Sequence, residues 1–73
     1  MSVQEKTIEI TINGDIRQVA ADTTLASLVS QLKLSPQQVA IEVNRRLVPR
    51  SHHPHCRVRA GDELEIVSLA GGG

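Results

Sequence analysis

Thr7-Ile8-Glu9-Ile10-Thr11-Ile12-Asn13-Gly14 is the stretch that decides the fold. Ile8, Ile10 and Ile12 share one face, and Thr7, Glu9 and Thr11 share the other. A period of two built on β-branched residues predicts a half-buried strand. Asn13-Gly14 closes it with the strongest short hairpin signal, because both residues tolerate positive φ. A second strand is therefore expected from about Ile16 to Ala20, although its weak alternation leaves its facing open.

Beyond the hairpin the period changes. Leu25, Leu28, Val29 and Leu32 fall at i, i+3, i+4 and i+7, which predicts an amphipathic helix. Asp22, Thr23 and Thr24 are all suitable N-caps, since their side-chain oxygens can accept a free backbone N–H. Lys33 sits where positive charge suits the helix dipole, and Pro36 is the expected stop. Ser35-Pro36-Gln37-Gln38 reads as one further helical turn, with Ser35 capping and Gln38 reaching back. Alternation then resumes, with Val39, Ile41 and Val43 on one face and Ala40, Glu42 and Asn44 on the other. Asn44-Arg45-Arg46 is expected to turn into a short strand, Leu47-Val48-Pro49, placed at an edge because proline cannot donate to a ladder. Arg50 to Arg59 has no regular period and reads as loop. Ala60-Gly61-Asp62 reads as a turn, and Glu63 to Leu69 as a last strand with Leu64 and Ile66 inward. Two strands, one helix and two or three more strands make an α+β domain: a mixed sheet of four to five strands packed on one main helix.

The chain has 73 residues, 8 basic and 8 acidic, for a formal net charge of zero. A domain of this size buries only about 60% of its unfolded surface, which leaves little room for an enclosed active site. Balanced charge gives no polyanion-binding surface, and the absence of Phe, Tyr and Trp removes the stacking platform of single-stranded nucleic acid binding. No nucleic acid partner is expected. No apolar run approaches the length of a membrane span, and Met1 to Lys6 holds no apolar signal segment. A cytoplasmic location, with no membrane contact, is expected. One cysteine, Cys56, rules out an internal disulfide and suits a reducing compartment.

Four groups of residues are candidates for chemistry. Cys56 is a thiol beside His and Arg, a residue type that does sulfur chemistry as its thiolate, but no triad accompanies it, so a structural or incidental role is the preferred reading. His52, His53, His55 and Cys56 are all metal-ligating types, yet they form one crowded cluster rather than two spaced pairs, and no metal site is assigned. Arg45, Arg46, Arg50, Arg57 and Arg59 form a basic stretch that either meets an acidic partner or is a solvated face balanced by Glu63 and Glu65. Val67 and Leu69 fall opposite Leu64 and Ile66, on the face one helix cannot cover. They are either a partner interface or side chains tucked under a neighbouring loop.

The sequence closes on Gly71-Gly72-Gly73. Glycines directly after an apolar strand make a thin tail that fits a narrow channel. A frayed terminus or a cloning remnant fits the composition equally well.

A wider pattern resembles the ThiS sulfur-carrier family. It is carried by Val39-Ala40-Ile41-Glu42-Val43-Asn44, Leu47-Val48-Pro49-Arg50-Ser51, Ala60-Gly61-Asp62-Glu63-Leu64-Glu65-Ile66-Val67 and Ala70-Gly71-Gly72-Gly73, together with Asn13-Gly14 and the helix start at Thr24-Leu25. It departs at His52-His53-Pro54-His55-Cys56, where relatives often carry an aromatic residue, and at Arg45-Arg46, where they often have glycine or an acidic residue. The resemblance implies a β-grasp, ubiquitin-like domain over residues 1–70 and a flexible tail over 71–73. It implies a carrier rather than an enzyme, with no catalytic side chain of its own. Gly73 would be adenylated by a ThiF-like adenylyltransferase using ATP and magnesium. Sulfur supplied through a cysteine desulfurase would make it a thiocarboxylate, and a ThiG-like thiazole synthase would receive the sulfur. Gly71 and Gly72 would thread the partners' active sites, and the domain itself would bind no cofactor. In isolation it is expected to be a monomer. Alternatives of the same fold are the small subunit of molybdopterin synthase (MoaD-like), an ubiquitin-like protein modifier and a non-covalent interaction module.

Overall fold

In the computed structural model, residues 6–69 are described. Strand β1 (Thr7–Ile12) and strand β2 (Asp15–Ala20) form the expected hairpin, in register from Thr7↔Ala20 to Ile12↔Asp15. The turn between them has Asn13 at φ 51° and Gly14 at φ 88°, the two left-handed residues that a tight hairpin needs. The facing of β2 is settled by a single side chain. Val19 is buried, whereas Ile16 is 68% exposed.

Helix α1 (Leu25–Gln31) starts at Thr24, whose Oγ1 accepts the Ser27 amide at 3.1 Å. Thr23 is buried instead, and its carbonyl accepts from Val58 N at 2.9 Å. Leu25, Leu28 and Val29 are buried and Leu32 is packed against the core, as the helical period requires. The helix stops earlier than Pro36 would impose. Lys33 is left-handed at φ 60°, its amide donates to Ser30 O, and Leu34 N donates to Val29 O, each at 3.0 Å. This is a Schellman closure with lysine where glycine is usual. Ser35 also departs from expectation. Pro36–Gln38 is a 3-10 turn, but the Ser35 hydroxyl donates to Gln37 Oε1 at 3.2 Å and caps no backbone amide.

Strands β3 (Val39–Val43), β4 (Arg46–Val48) and β5 (Glu63–Ser68) complete a five-stranded sheet ordered β2-β1-β5-β3-β4. β5 runs parallel to β1 and antiparallel to β3. The β3–β4 turn is only Asn44 and Arg45, at φ 51° and 69°, so Arg46 already belongs to β4 and Pro49 lies outside it. The stretch expected as plain loop contains a 3-10 segment, Arg50–His55. Ile10, Leu25, Leu28, Val29, Ile41 and Leu64 form the most deeply buried part of the core, between α1 and one sheet face.

Candidate functional site

β5 is the strand on which the candidate site depends, and it lies in the middle of the sheet. Alternation drives Leu64 and Ile66 into the core and turns Glu63, Glu65 and Val67 outward. On the β3 side it is held by five residue pairs, from Val43↔Leu64 to Val39↔Ser68, and the Leu69 amide donates to the Gln38 carbonyl. On the β1 side only two pairs exist, Thr11↔Glu63 and Ile12↔Leu64, because β1 ends at its turn.

Asn13 extends that short ladder. Its Oδ1 accepts from Ile66 N at 2.9 Å, and its Nδ2 donates to Ile66 O at 3.1 Å. The carboxamide thus acts as one more peptide unit beyond the end of β1. Asn44 holds the start of β5 differently: its Oδ1 accepts from Glu63 N at 3.0 Å, its backbone N–H donates to Glu63 O at 2.8 Å, and its Nδ2 donates to Asp62 Oδ1 at 3.0 Å, just before the strand. From sequence Asn13 reads as a turn residue and Asn44 as the outward end of a strand entering a turn, and neither reads as a clamp on β5. Their common position, the first left-handed residue of a two-residue turn, is the signal that could have marked them as clamps.

Val67 and Leu69 are 53% and 58% exposed, so neither is tucked under a loop. Val67 has Ala40 as its cross-strand neighbour, and Glu65 has Glu42. Two like charges directly opposite each other cost stability that a cationic group on another surface would return. Leu47 and Ile16 are also exposed on outer strands of the sheet. Gly71, Gly72 and Gly73 lie outside the described residues.

The histidine cluster is spread apart by the fold. His53 is buried, and its Nε2 donates to the Val48 carbonyl at 3.1 Å. His52 and His55 remain exposed. Cys56 is half-buried against the core, and its carbonyl accepts the Leu25 amide at 2.9 Å, tying the 3-10 segment to the start of α1. Among the described residues, no group of three His, Cys, Asp or Glu side chains converges as metal ligands, and no helix is long and apolar enough to cross a membrane.

A mixed five-stranded sheet wrapped on one helix, with the last strand at its centre, defines a β-grasp domain. The crystal structure of a thiamine biosynthesis protein (ThiS) from Geobacter metallireducens matches it with a TM-score of 0.77 at 29% identity, covering 90% of this chain and 100% of that one. The NMR solution structure of a thiamine biosynthesis protein from the same organism gives 0.75, also at 29% identity, over 90% and 88%. The model of the ThiS family matches residues 10–73, and the chain belongs to that family.

A thiazole synthase of Paramagnetospirillum magneticum is 38% identical over 66 residues, which are 90% of this chain. This chain spans only 20% of the length of that protein, and the same share of a thiazole synthase of Magnetococcus marinus. An uncharacterized protein, ycf40, of Porphyra purpurea is 31% identical over 93% of this chain and 96% of its own length.

Proposed function

We propose that this chain is a sulfur carrier of thiamine biosynthesis, serving the formation of the thiazole ring, with the Gly73 carboxylate as the group that bears the sulfur. The observation that carries this reading is the exit of the chain. Leu69 leaves the central strand of a clamped sheet beside exposed Val67, with Gly71-Gly72-Gly73 still to come. Membership of the ThiS family supports the same reading.

The chemistry follows from what a carboxylate lacks. It is a poor acyl donor, so a ThiF-like adenylyltransferase with ATP and magnesium joins the Gly73 carboxylate to the α-phosphorus and releases pyrophosphate. A persulfide, charged through a cysteine desulfurase, then attacks the carbonyl carbon and expels AMP. The resulting acyl disulfide is cut by a thiol, which leaves as a disulfide with the donor sulfur. A thiocarboxylate remains on Gly73. The partners supply the charge stabilisation these steps need. The carrier supplies a thin tail without Cβ atoms, through Gly71 and Gly72, and a docking surface at Val67 and Leu69. Ordering such a tail costs about 1–2 kcal/mol per residue, which contacts at that surface offset. A ThiG-like thiazole synthase is the proposed acceptor. The match of this chain to a fifth of two proteins bearing that name supports the pairing. In this reading the protein is a cytoplasmic monomer and not itself an enzyme.

Incubation with ATP, the adenylyltransferase, cysteine desulfurase and cysteine, followed by intact-mass measurement, is expected to show one oxygen replaced by sulfur. Removal of Gly72 and Gly73 is expected to abolish that change. Lysine-linked adducts in place of the mass change would make the chain a protein modifier, and transfer of sulfur to molybdopterin rather than thiazole would make it MoaD-like.

A further inference from the structure

Three glutamates and three arginines of this neutral chain lie on different parts of the fold. Glu9, Glu63 and Glu65 stand exposed on β1 and β5, facing away from the core. Arg46, Arg57 and Arg59 gather instead along an open groove of about 1060 Å³ between β4 and the segment leading to β5. Arg46 is the cross-strand partner of Val43, so it rises from the same sheet face as the core. The groove floor includes Ile8, Val43 and Val48, all packed against that core.

Asp62 is the only carboxylate in the groove lining, and each of its oxygens accepts one hydrogen bond from a neutral donor. Oδ1 accepts from Asn44 Nδ2 at 3.0 Å and Oδ2 from the Arg59 amide at 2.8 Å. None of the three guanidinium groups forms an ion pair with a carboxylate among the described residues. The groove therefore sets three arginines and one carboxylate around apolar patches at Ile8, Val43 and Val48, with none of the three guanidinium groups paired among the described residues.

The shape of the donor set selects the ligand. Compact phosphates are held by converging backbone N–H groups. Here the amides of Val58, Arg59 and Gly61 already donate to Thr23 O, Asp62 Oδ2 and Glu9 O. No aromatic ring is present to stack a base. What remains is three cations on long stems, beside apolar patches formed by Ile8, Val43 and Val48. That arrangement suits carboxylates spaced along an extended chain, with apolar side chains between them.

We propose that this groove docks an acidic, apolar-anchored peptide segment of a partner protein. It is a second surface, separate from Val67 and Leu69, and independent of sulfur loading.

The test is a titration of the isotopically labelled full chain with a short acetylated peptide alternating glutamate and leucine, followed by amide chemical shifts. Shifts are expected at Val43, Val48 and Val58 and not at Val67 or Leu69. Affinity should fall with added salt. Replacing the peptide's leucines by serine should weaken binding about fivefold, through loss of apolar burial. The combined variant Arg46→Glu, Arg57→Glu, Arg59→Glu should weaken it about tenfold or more. The corresponding Arg→Gln variant, with an unchanged melting temperature, should reproduce most of that loss. Both variants should still acquire sulfur, which separates this proposal from the carrier reading. Unchanged affinity in the Arg→Gln variant, shifts centred on Val67 and Leu69, or displacement of the peptide by an equal concentration of ATP or inorganic phosphate would overturn it.

Discussion

Two asparagines each do two things. Asn13 and Asn44 sit at φ 51°, a conformation that most residues avoid, and the side-chain oxygen of each accepts a backbone amide of β5. Asn13→Gly keeps the turn and removes both hydrogen bonds to Ile66. At about 0.5–1.5 kcal/mol per bond, it should destabilise the domain by about 1–3 kcal/mol in urea unfolding. Asn13→Ala should cost about 1 kcal/mol more, because alanine also resists positive φ. The opposite outcome is expected where the chain places bulky residues in left-handed turns. Lys33 at φ 60° and Arg45 at φ 69° both lack the freedom of glycine. Lys33→Gly and Arg45→Gly should each raise the urea midpoint, by about 1 kcal/mol in stability. A lowered midpoint in either variant would mean that its side chain makes a stabilising contact in solution.

At the scale of elements, the short helix depends on its ends. α1 has seven residues, too few to persist without tertiary support. Thr24→Ala should cost about 1 kcal/mol by the same unfolding measurement, through loss of the cap on Ser27 N. The elements were legible in proportion to the side chains that fix them. β1, β3 and β5 each bury alternate aliphatic residues, so their faces could be read directly. β2 buries one, Val19, and one residue sets no period. The helix stop was misread because the Schellman closure uses Lys33, which carries no glycine or asparagine signal. The 3-10 segment went unseen because its one inward residue is a histidine, held by a carbonyl rather than by an apolar stripe. Of the candidate site, the exposure of Val67 and Leu69 followed from alternation. The clamps on β5 did not, since they join residues 53 and 19 positions apart.

At the scale of the whole molecule, the core is small and shared. Ile41 and Leu28 are fully buried from opposite layers, one on β3 and one on α1. Replacing either with alanine should cost about 2–5 kcal/mol, a large part of a typical total of about 5–15, and should be seen as a much lowered thermal midpoint. Leu69→Asp should behave differently. Its side chain is mostly in water, so the midpoint should hold while the rate of adenylation falls at a given enzyme concentration. An equal loss of thermal stability would place Leu69 in the scaffold rather than at the proposed docking surface. The core variants and Leu69→Asp together separate what keeps the chain folded from what the proposed docking requires.

The parallel pairing of β1 with β5 has a mechanical consequence. β1 begins at one end of the sheet and β5 finishes at the other, so tension applied between the two ends makes adjacent strands slide rather than unzip. Sliding loads the two β1–β5 residue pairs and both Asn13 bonds to Ile66 together, whereas unzipping would break them singly. A pull on the chain beyond Leu69 is therefore shared across that junction before the strands part.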